Sequence, residues 1–245
     1  MELSIYLGLA KQSSLQRRLD VLANNVANAN TMGFRKSGVS FASYMHDASQ
    51  RSPVQGEEGI SYPFDVQTHI DLVEGAVQRT DNPLDIALEG NSAAFLAVEQ
   101  DGRQLLTRSG ALTMDRSGEL MVPGGARLLG TDGLPIRLDP SAGRVGIDEL
   151  GNVVQDGTTR GRIKVMELVD RTDIEHVGKG LYFSFNTKPS ESALVRQGVL
   201  ENANVDPIAE ITELISLSRN YELLQQMMQA EDSRLSDAID KLPLF

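Results

Sequence analysis

Between Asp206 and the C-terminus the apolar residues advance in alternating steps of three and four: Leu214, Leu217, Tyr221, Leu224, Met228, then Leu235, Ala238 and Leu242, with Glu231 as the polar interruption. This spacing is the seam of a heptad helix. It cannot serve a strand, whose side chains change face at every residue. Asp206-Pro207 supplies the start, with an acceptor at the N-cap and Pro at the first helical position, where its missing N–H costs nothing. Pro243 supplies the stop. A helix this long with so narrow a stripe requires a partner to cover it.

The first 33 residues offer one. Ile5, Leu9, Leu15, Leu19, Leu22, Val26 and Ala29 fall at helical spacing, and Thr31-Met32-Gly33 provides a C-terminal stop with Gly free to turn left-handed. The expectation is a coiled-coil-like domain in which Leu15, Leu19, Leu22 and Val26 pack against Leu214, Leu217, Tyr221, Leu224, Met228 and Leu235; docking of either stripe on the rest of the chain is the alternative. The end of the first helix is rich in asparagine, at Asn24, Asn25, Asn28 and Asn30. Asn is a poor interior helix residue because its amide competes for nearby backbone groups. Asn24, Asn25 and Asn28 are therefore expected either to contact adjacent subunits by side-chain hydrogen bonds or to mark a frayed, solvated end. Two helices alone would be marginal, which points to stabilisation by neighbouring copies.

The middle has another texture. Residues 34–81 show no sustained period and read as an extended linker with short strands. From Leu84 to Gly198, short apolar runs (Ala94–Val98, Gln104–Thr107, Glu119–Val122, Ile163–Val169) are separated by explicit turns at Asp101-Gly102, Ser117-Gly118, Asp132-Gly133, Gly151-Asn152 and Asp156-Gly157. Asp-Gly and Gly-Asn between short strands is hairpin chemistry and predicts an antiparallel β domain. The fold expected is α+β, with a terminal-helix domain from 1–33 and 201–245, a linker at 34–81 and a β-rich domain at 82–200.

Composition removes several functions. There is no cysteine among the 245 residues, which excludes disulfides, thiol catalysis and Cys-based zinc sites. The net charge of −11 argues against nucleic acid as a partner, since phosphate binding needs a basic footprint. No apolar run reaches the roughly 18–20 residues of a membrane span, and the N-terminus lacks the basic-then-apolar order of a cleaved signal, so an uncleaved chain outside the membrane is expected. His46, His69 and His176 are far apart and no third ligand stands near His69 and Asp71, so no metal site is assigned. No nucleophile elbow or phosphate-binding loop is present, and Pro123–Gly130 reads as a turn and a strand. Neither catalytic residues nor a cofactor is expected.

Four stretches carry a resemblance. Leu22–Arg35 (LANNVANANTMGFR), Leu106–Gly130 (LTRSGALTMDRSGELMVPGGARLLG) and Gln197–Glu222 (QGVLENANVDPIAEITELISLSRNYE), together with Asn82–Val98, resemble in order the signatures of the flagellar rod and hook axial proteins. Departures are Ala93-Ala94-Phe95, where the family more often has a glycine and two bulky residues, and Ala203, where Ser is common. Within the family, the length and the Asn204-Val205-Asp206-Pro207 helix start fit a proximal-rod subunit, with a distal-rod or hook-type subunit as alternative.

The resemblance implies a structural, non-enzymatic subunit that other rod proteins and copies of itself join helically, as a drive shaft around the export channel. It implies passage through the flagellar type III export apparatus without a cleaved signal, and a place in the periplasmic rod of the basal body. Phe41-Ala-Ser-Tyr-Met45 is similar to the family's export-recognition element, which would give Phe41 and Met45 that role; an ordinary strand with an inward Phe is the alternative. A reading of a different class, a ligand-binding β domain on helical arms, would require a pocket of convergent polar groups within Leu84–Gly198.

Overall fold

The computed structural model of the chain describes residues 2–45 and 61–240. Among them a helix stands near each terminus and strands fill the interval. Helix α1 (Glu2–Ala27) precedes β1 (Ser37–Met45), β2 (Ser61–Ile70), β3 (Val77–Arg79) and β4 (Ile86–Glu89). Next come β5 (Ala94–Gln100), β6 (Arg103–Thr107), β7 (Thr113–Met114), β8 (Leu120–Met121) and β9 (Arg127–Leu128). They are followed by β10 (Val145–Ile147), β11 (Asn152–Gln155), β12 (Thr158–Arg162), β13 (Val165–Leu168) and β14 (Glu175–Gly178). The series closes with β15 (Leu181–Phe183), β16 (Thr187–Pro189), β17 (Leu194–Gln197), β18 (Val199–Glu201) and α2 (Pro207–Asp240). The chain divides into two compact units: Met1–Val26 with Ser37–His69 and Asp206–Phe245, and Ala27–Lys36 with Ile70–Val205.

The second unit is antiparallel throughout its named pairings and is organised by β5. Strand β6 lies along one edge of β5 in a hairpin. The other edge is shared in series: β13 takes Ala94, Phe95 and Leu96, and β9 takes Val98 and Glu99. Both faces of β5 are buried, which is why its run AFLAV is continuously apolar instead of alternating. Ala94, Leu96 and Val98 face one core with Ile86, Leu120 and Leu128. Phe95 and Ala97 face another with Leu106, Met166 and Tyr182. Sheet β10–β11–β12 and the pairs β4–β17 and β3–β18 complete the unit.

The turn chemistry acts as expected. Asp101 and Gly102 have φ of 52° and 75°, and Asp156 and Gly157 have 50° and 79°. Each pair joins directly opposed residues, Gln100 with Arg103 and Gln155 with Thr158, so both are two-residue hairpins whose positive φ values match strand twist.

In the first unit β1 pairs with β2, and α1 and α2 contact each other through a few specific groups. Here the expectation of long terminal helices paired in coiled-coil fashion is corrected: two single helices flank a large antiparallel β region, and no coiled-coil-like arms are formed. A coiled coil buries its a and d positions in succession. Of the expected seam residues with described side chains, only Leu22 and Leu217 are buried; Leu15, Leu19, Val26, Leu214, Tyr221, Leu224 and Met228 are half-exposed. The other buried positions among the described side chains of the two helices are polar, Asn25 and Glu210. On α1 the buried face thus runs through Leu22 and Asn25 rather than Leu22 and Val26.

Candidate functional site

Three of the stretches that carry the resemblance, each more than 60 residues from the next in sequence, supply Arg35, Arg108 and Glu201 to one buried cluster in the second unit. Its centre is Glu201, the last residue of β18, 2 % exposed. Glu201 Oε1 accepts from Arg35 Nη1 at 2.8 Å and from the Gly75 N–H at 2.9 Å. Its Oε2 accepts from Arg108 Nε at 2.6 Å. Its carbonyl accepts the Gly33 N–H at 2.8 Å. One residue therefore ties the GFR turn, the TRSG segment and the C-terminal signature together.

Arg108 is 1 % exposed and uses all five of its N–H donors. Nε binds Glu201, Nη1 binds the Asn91 and Ala94 carbonyls, and Nη2 binds Glu74 and the Leu88 carbonyl, each at 3.0 Å. Arg35, 0 % exposed, is less well served: Nη1 binds Glu201 and the Val73 carbonyl, while Nε and Nη2 have no partner among the described residues. Burial lowers the Arg35 pKa from its ordinary value, Glu201 opposes that shift, and the neighbouring Arg108 adds to it. Two buried cations share one buried carboxylate, with half-exposed Glu74 as the second anion.

The surroundings fix this cluster in place. Gly33 has φ 69°, and a Cβ there would stand 2.3 Å from the Arg108 carbonyl carbon, so the turn after α1 lies directly on the TRSG backbone. The Arg35 N–H donates to the Tyr182 hydroxyl at 2.8 Å. Burial pushes the Tyr182 pKa up to about 12. The Tyr182 ring meets Phe95 and His176 at 5.6 and 5.2 Å, and His176 meets Phe34 edge-on at 5.7 Å. Burial lowers the His176 pKa. Asn204 closes the other side: its Oδ1 accepts the Lys36 N–H, and its Nδ2 donates to the Asp71 and Val73 carbonyls. These groups hold backbone to backbone. The arrangement is a clamp.

In the first unit a second polar contact stands where the asparagines were singled out. Asn25 Nδ2 donates to the Ser37 carbonyl at 2.9 Å and to Glu210 Oε2 at 3.0 Å, and its Oδ1 accepts the Ser37 N–H at 3.0 Å. Its amide is thus engaged inside the chain, linking α1, β1 and α2. Asn24 is exposed, and half-buried Asn28 accepts the Thr31 hydroxyl and N–H. Among the seam residues, Tyr221 accepts from Gln12 at 3.0 Å, and Arg18 pairs with Glu213 nearby. Phe41 and Met45 lie on β1, but their side chains and that of Leu235 fall outside the described residues.

Arg35, Arg108, Glu201, Asn204 and Tyr182 were not singled out from the sequence. A signal was present in Leu105-Leu106-Thr107-Arg108-Ser109-Gly110, where a lone cation sits in an apolar run and so calls for a buried anion.

Comparison with known proteins matches the same segments. Residues 9–35 match the family described as flagella basal body rod protein, and residues 196–241 match the flagellar basal body rod FlgEFG protein C-terminal family. Arg35 ends the first match and Glu201 lies in the second. The flagellar basal-body rod protein FlgF of Caulobacter vibrioides is 32% identical, over 99% of this chain and 98% of the relative. FlgF of Mesorhizobium japonicum is also 32% identical with the same coverage. The rod protein FlgG of Bacillus subtilis is 26% identical over 97% of this chain and 98% of the relative. With two family models matched at its ends and relatives at 32% identity matched from end to end, the chain belongs to the flagellar basal-body rod protein family.

Proposed function

We propose that the chain is an axial subunit of the proximal rod, assembling helically with copies of itself and with other rod proteins into the drive shaft around the export channel. The family is structural and not enzymatic, and its place is the flagellar basal body. The observation that carries the finer reading is the end-to-end match to FlgF relatives at 32% identity. It is supported by α2, which turns Ile208, Ile211, Ile215, Leu223 and Met227 outward at 78, 44, 47, 57 and 70 % exposure. Such a face suits burial against neighbouring subunits, and contacts between unlike surfaces repeat into a helical filament. In this reading exposed Asn24 and half-buried Asn28 contact adjacent subunits. Export through the flagellar type III apparatus without a cleaved signal, with Phe41 and Met45 as the recognition element, completes the proposal.

The test is the double variant Ile208→Asp, Ile215→Asp in the parent bacterium. Both side chains are exposed, so the folded chain should be unchanged, while swimming is lost and basal bodies stop at an incomplete rod. Normal swimming with complete rods would remove the assembly role.

A further inference from the structure

The most exposed large apolar side chain among the described residues is Phe185, at 82 %. It lies between β15 and β16, and its orientation is held: its ring meets Phe183 edge-on at 4.7 Å and 83°. Asp173 fixes the backbone on either side, accepting the Asn186 N–H at 2.9 Å and the Ser184 hydroxyl. An aromatic ring presented on so constrained a turn loses little freedom on binding and has the character of an interface anchor.

The same unit contains a cleft that such a ring fits. Its volume is about 340 Å³, and Leu150, Ile163, Ala193 and Val195 line it. Leu150 forms an exposed apolar lip at 61 %. Three polar side chains of the cleft are engaged within the chain: Arg162 Nε with the Leu150 carbonyl, Lys164 with Gln104, and the Ser190 hydroxyl with Glu167. What the cleft offers is therefore apolar surface, not a convergent polar site for a small ligand.

Charge selects the occupant. The knob is flanked by carboxylates, Asp173 beside it and Glu175 directly across from Phe183. The cleft is flanked by the cations Arg162 and Lys164, with Glu191 also on its lining. We propose that Phe185 of one copy of this chain enters the Leu150–Ile163 cleft of the next. Phe185 is not part of the cleft lining, and in the head-to-tail order proposed the knob and the cleft of each copy engage different neighbours, so the contact is heterologous and repeats along the assembly. The inference rests on the rod reading for the presence of many copies, and it adds to the helix contacts a separate contact between β regions.

Sedimentation velocity of the purified full chain tests it, with Ile208→Asp and Ile215→Asp in every sample to silence the helix contacts. From about 1 µM to about 1 mM the parent should form a growing series of species. Phe185→Ala, which removes the knob, and Leu150→Glu, which puts a charge on the cleft lip, should each weaken association by about tenfold or more. An equimolar mixture of the two retains one knob and one cleft, so it should give dimers and nothing larger. Both side chains are exposed, and unchanged melting of each variant confirms the fold. A parent that stays monomeric, a Phe185→Ala chain that associates like the parent, or a mixture that stays monomeric or grows past dimers overturns the proposal. Because the helix residues are tested separately in cells, either idea can fail while the other stands.

Discussion

Glu201 holds two buried guanidiniums and a backbone amide with one carboxylate, so its loss and the loss of either cation are not equivalent. Glu201→Gln leaves Arg35 and Arg108 facing each other with half-exposed Glu74 as the remaining anion of the cluster, and should cost about 3–5 kcal/mol in urea unfolding. Arg108→Met strands the Asn91, Ala94 and Leu88 carbonyls, whereas Arg35→Met removes two donors that have no partner among the described residues. Arg108→Met should therefore be the more damaging, by about 1 kcal/mol or more; equal losses would mean that the count of satisfied donors does not govern this site. His176 adds a pH dependence of definite sign. Its folded pKa is lowered by burial, so the unfolded chain binds the extra proton first as pH falls below the ordinary 6.5, and the stability present above that value is lost on the acid side. The melting temperature of the native chain should fall more steeply from pH 7 to pH 5 than that of His176→Phe, and parallel profiles would exclude the histidine. Tyr182 works at the opposite end. With its folded pKa raised to about 12, its contribution is intact below pH 10 and lost as pH rises from there.

At the level of elements, what could be read from the sequence was whatever depends on neighbouring residues. The Asp101-Gly102 and Asp156-Gly157 hairpins follow from turn chemistry alone; β8 and β13 fall within the apolar runs between such turns, and β5 and β6 contain theirs and run on toward the Asp101-Gly102 turn. The heptad stripes misled because spacing defines a face without saying that the face is buried. On α1 the polar Asn25 is buried while Leu9 is 56 % exposed, and on α2 Glu210 is buried while Ile208 is outward. The ends of elements allow a clean comparison of two glycines. Gly33 and Gly102 have nearly the same φ, 69° and 75°, so an added methyl group strains both backbones alike, by about 1–2 kcal/mol. At Gly102 that methyl group meets nothing within 4 Å; at Gly33 it would stand 2.3 Å from backbone that the Arg108 clamp holds in place. Gly33→Ala should thus cost about 1–3 kcal/mol more than Gly102→Ala in chemical denaturation. Similar costs would show that the turn after α1 can lift off the TRSG segment freely.

Across the whole molecule, the clamp was hidden from sequence because its charges lie far apart, at Arg35, Arg108 and Glu201: the apolar run around Arg108 calls for an anion without naming which one. Only the fold brings them together, and two of the three, Arg35 and Glu201, lie in the segments that the family models match. The distribution of buried side chains sets a further expectation. Strand β5 is buried on both faces and hydrogen-bonded on both edges, whereas from Pro207 to Arg234 helix α2 buries only Glu210 and Leu217. Opening free energy follows the buried contacts that opening breaks. In the dilute chain the amides of Pro207–Arg234 should exchange with solvent faster than those of Ala94–Thr107, by about 100-fold or more. In the assembly proposed above the outward isoleucines of α2 are covered and β5 is left as it was, so in assembled material the protection of α2 should rise while that of β5 stays constant. Protection of α2 equal to that of β5 in the dilute chain would mean that the helix is already stabilised without neighbours, and the reason for its exposed apolar face would have to be sought elsewhere.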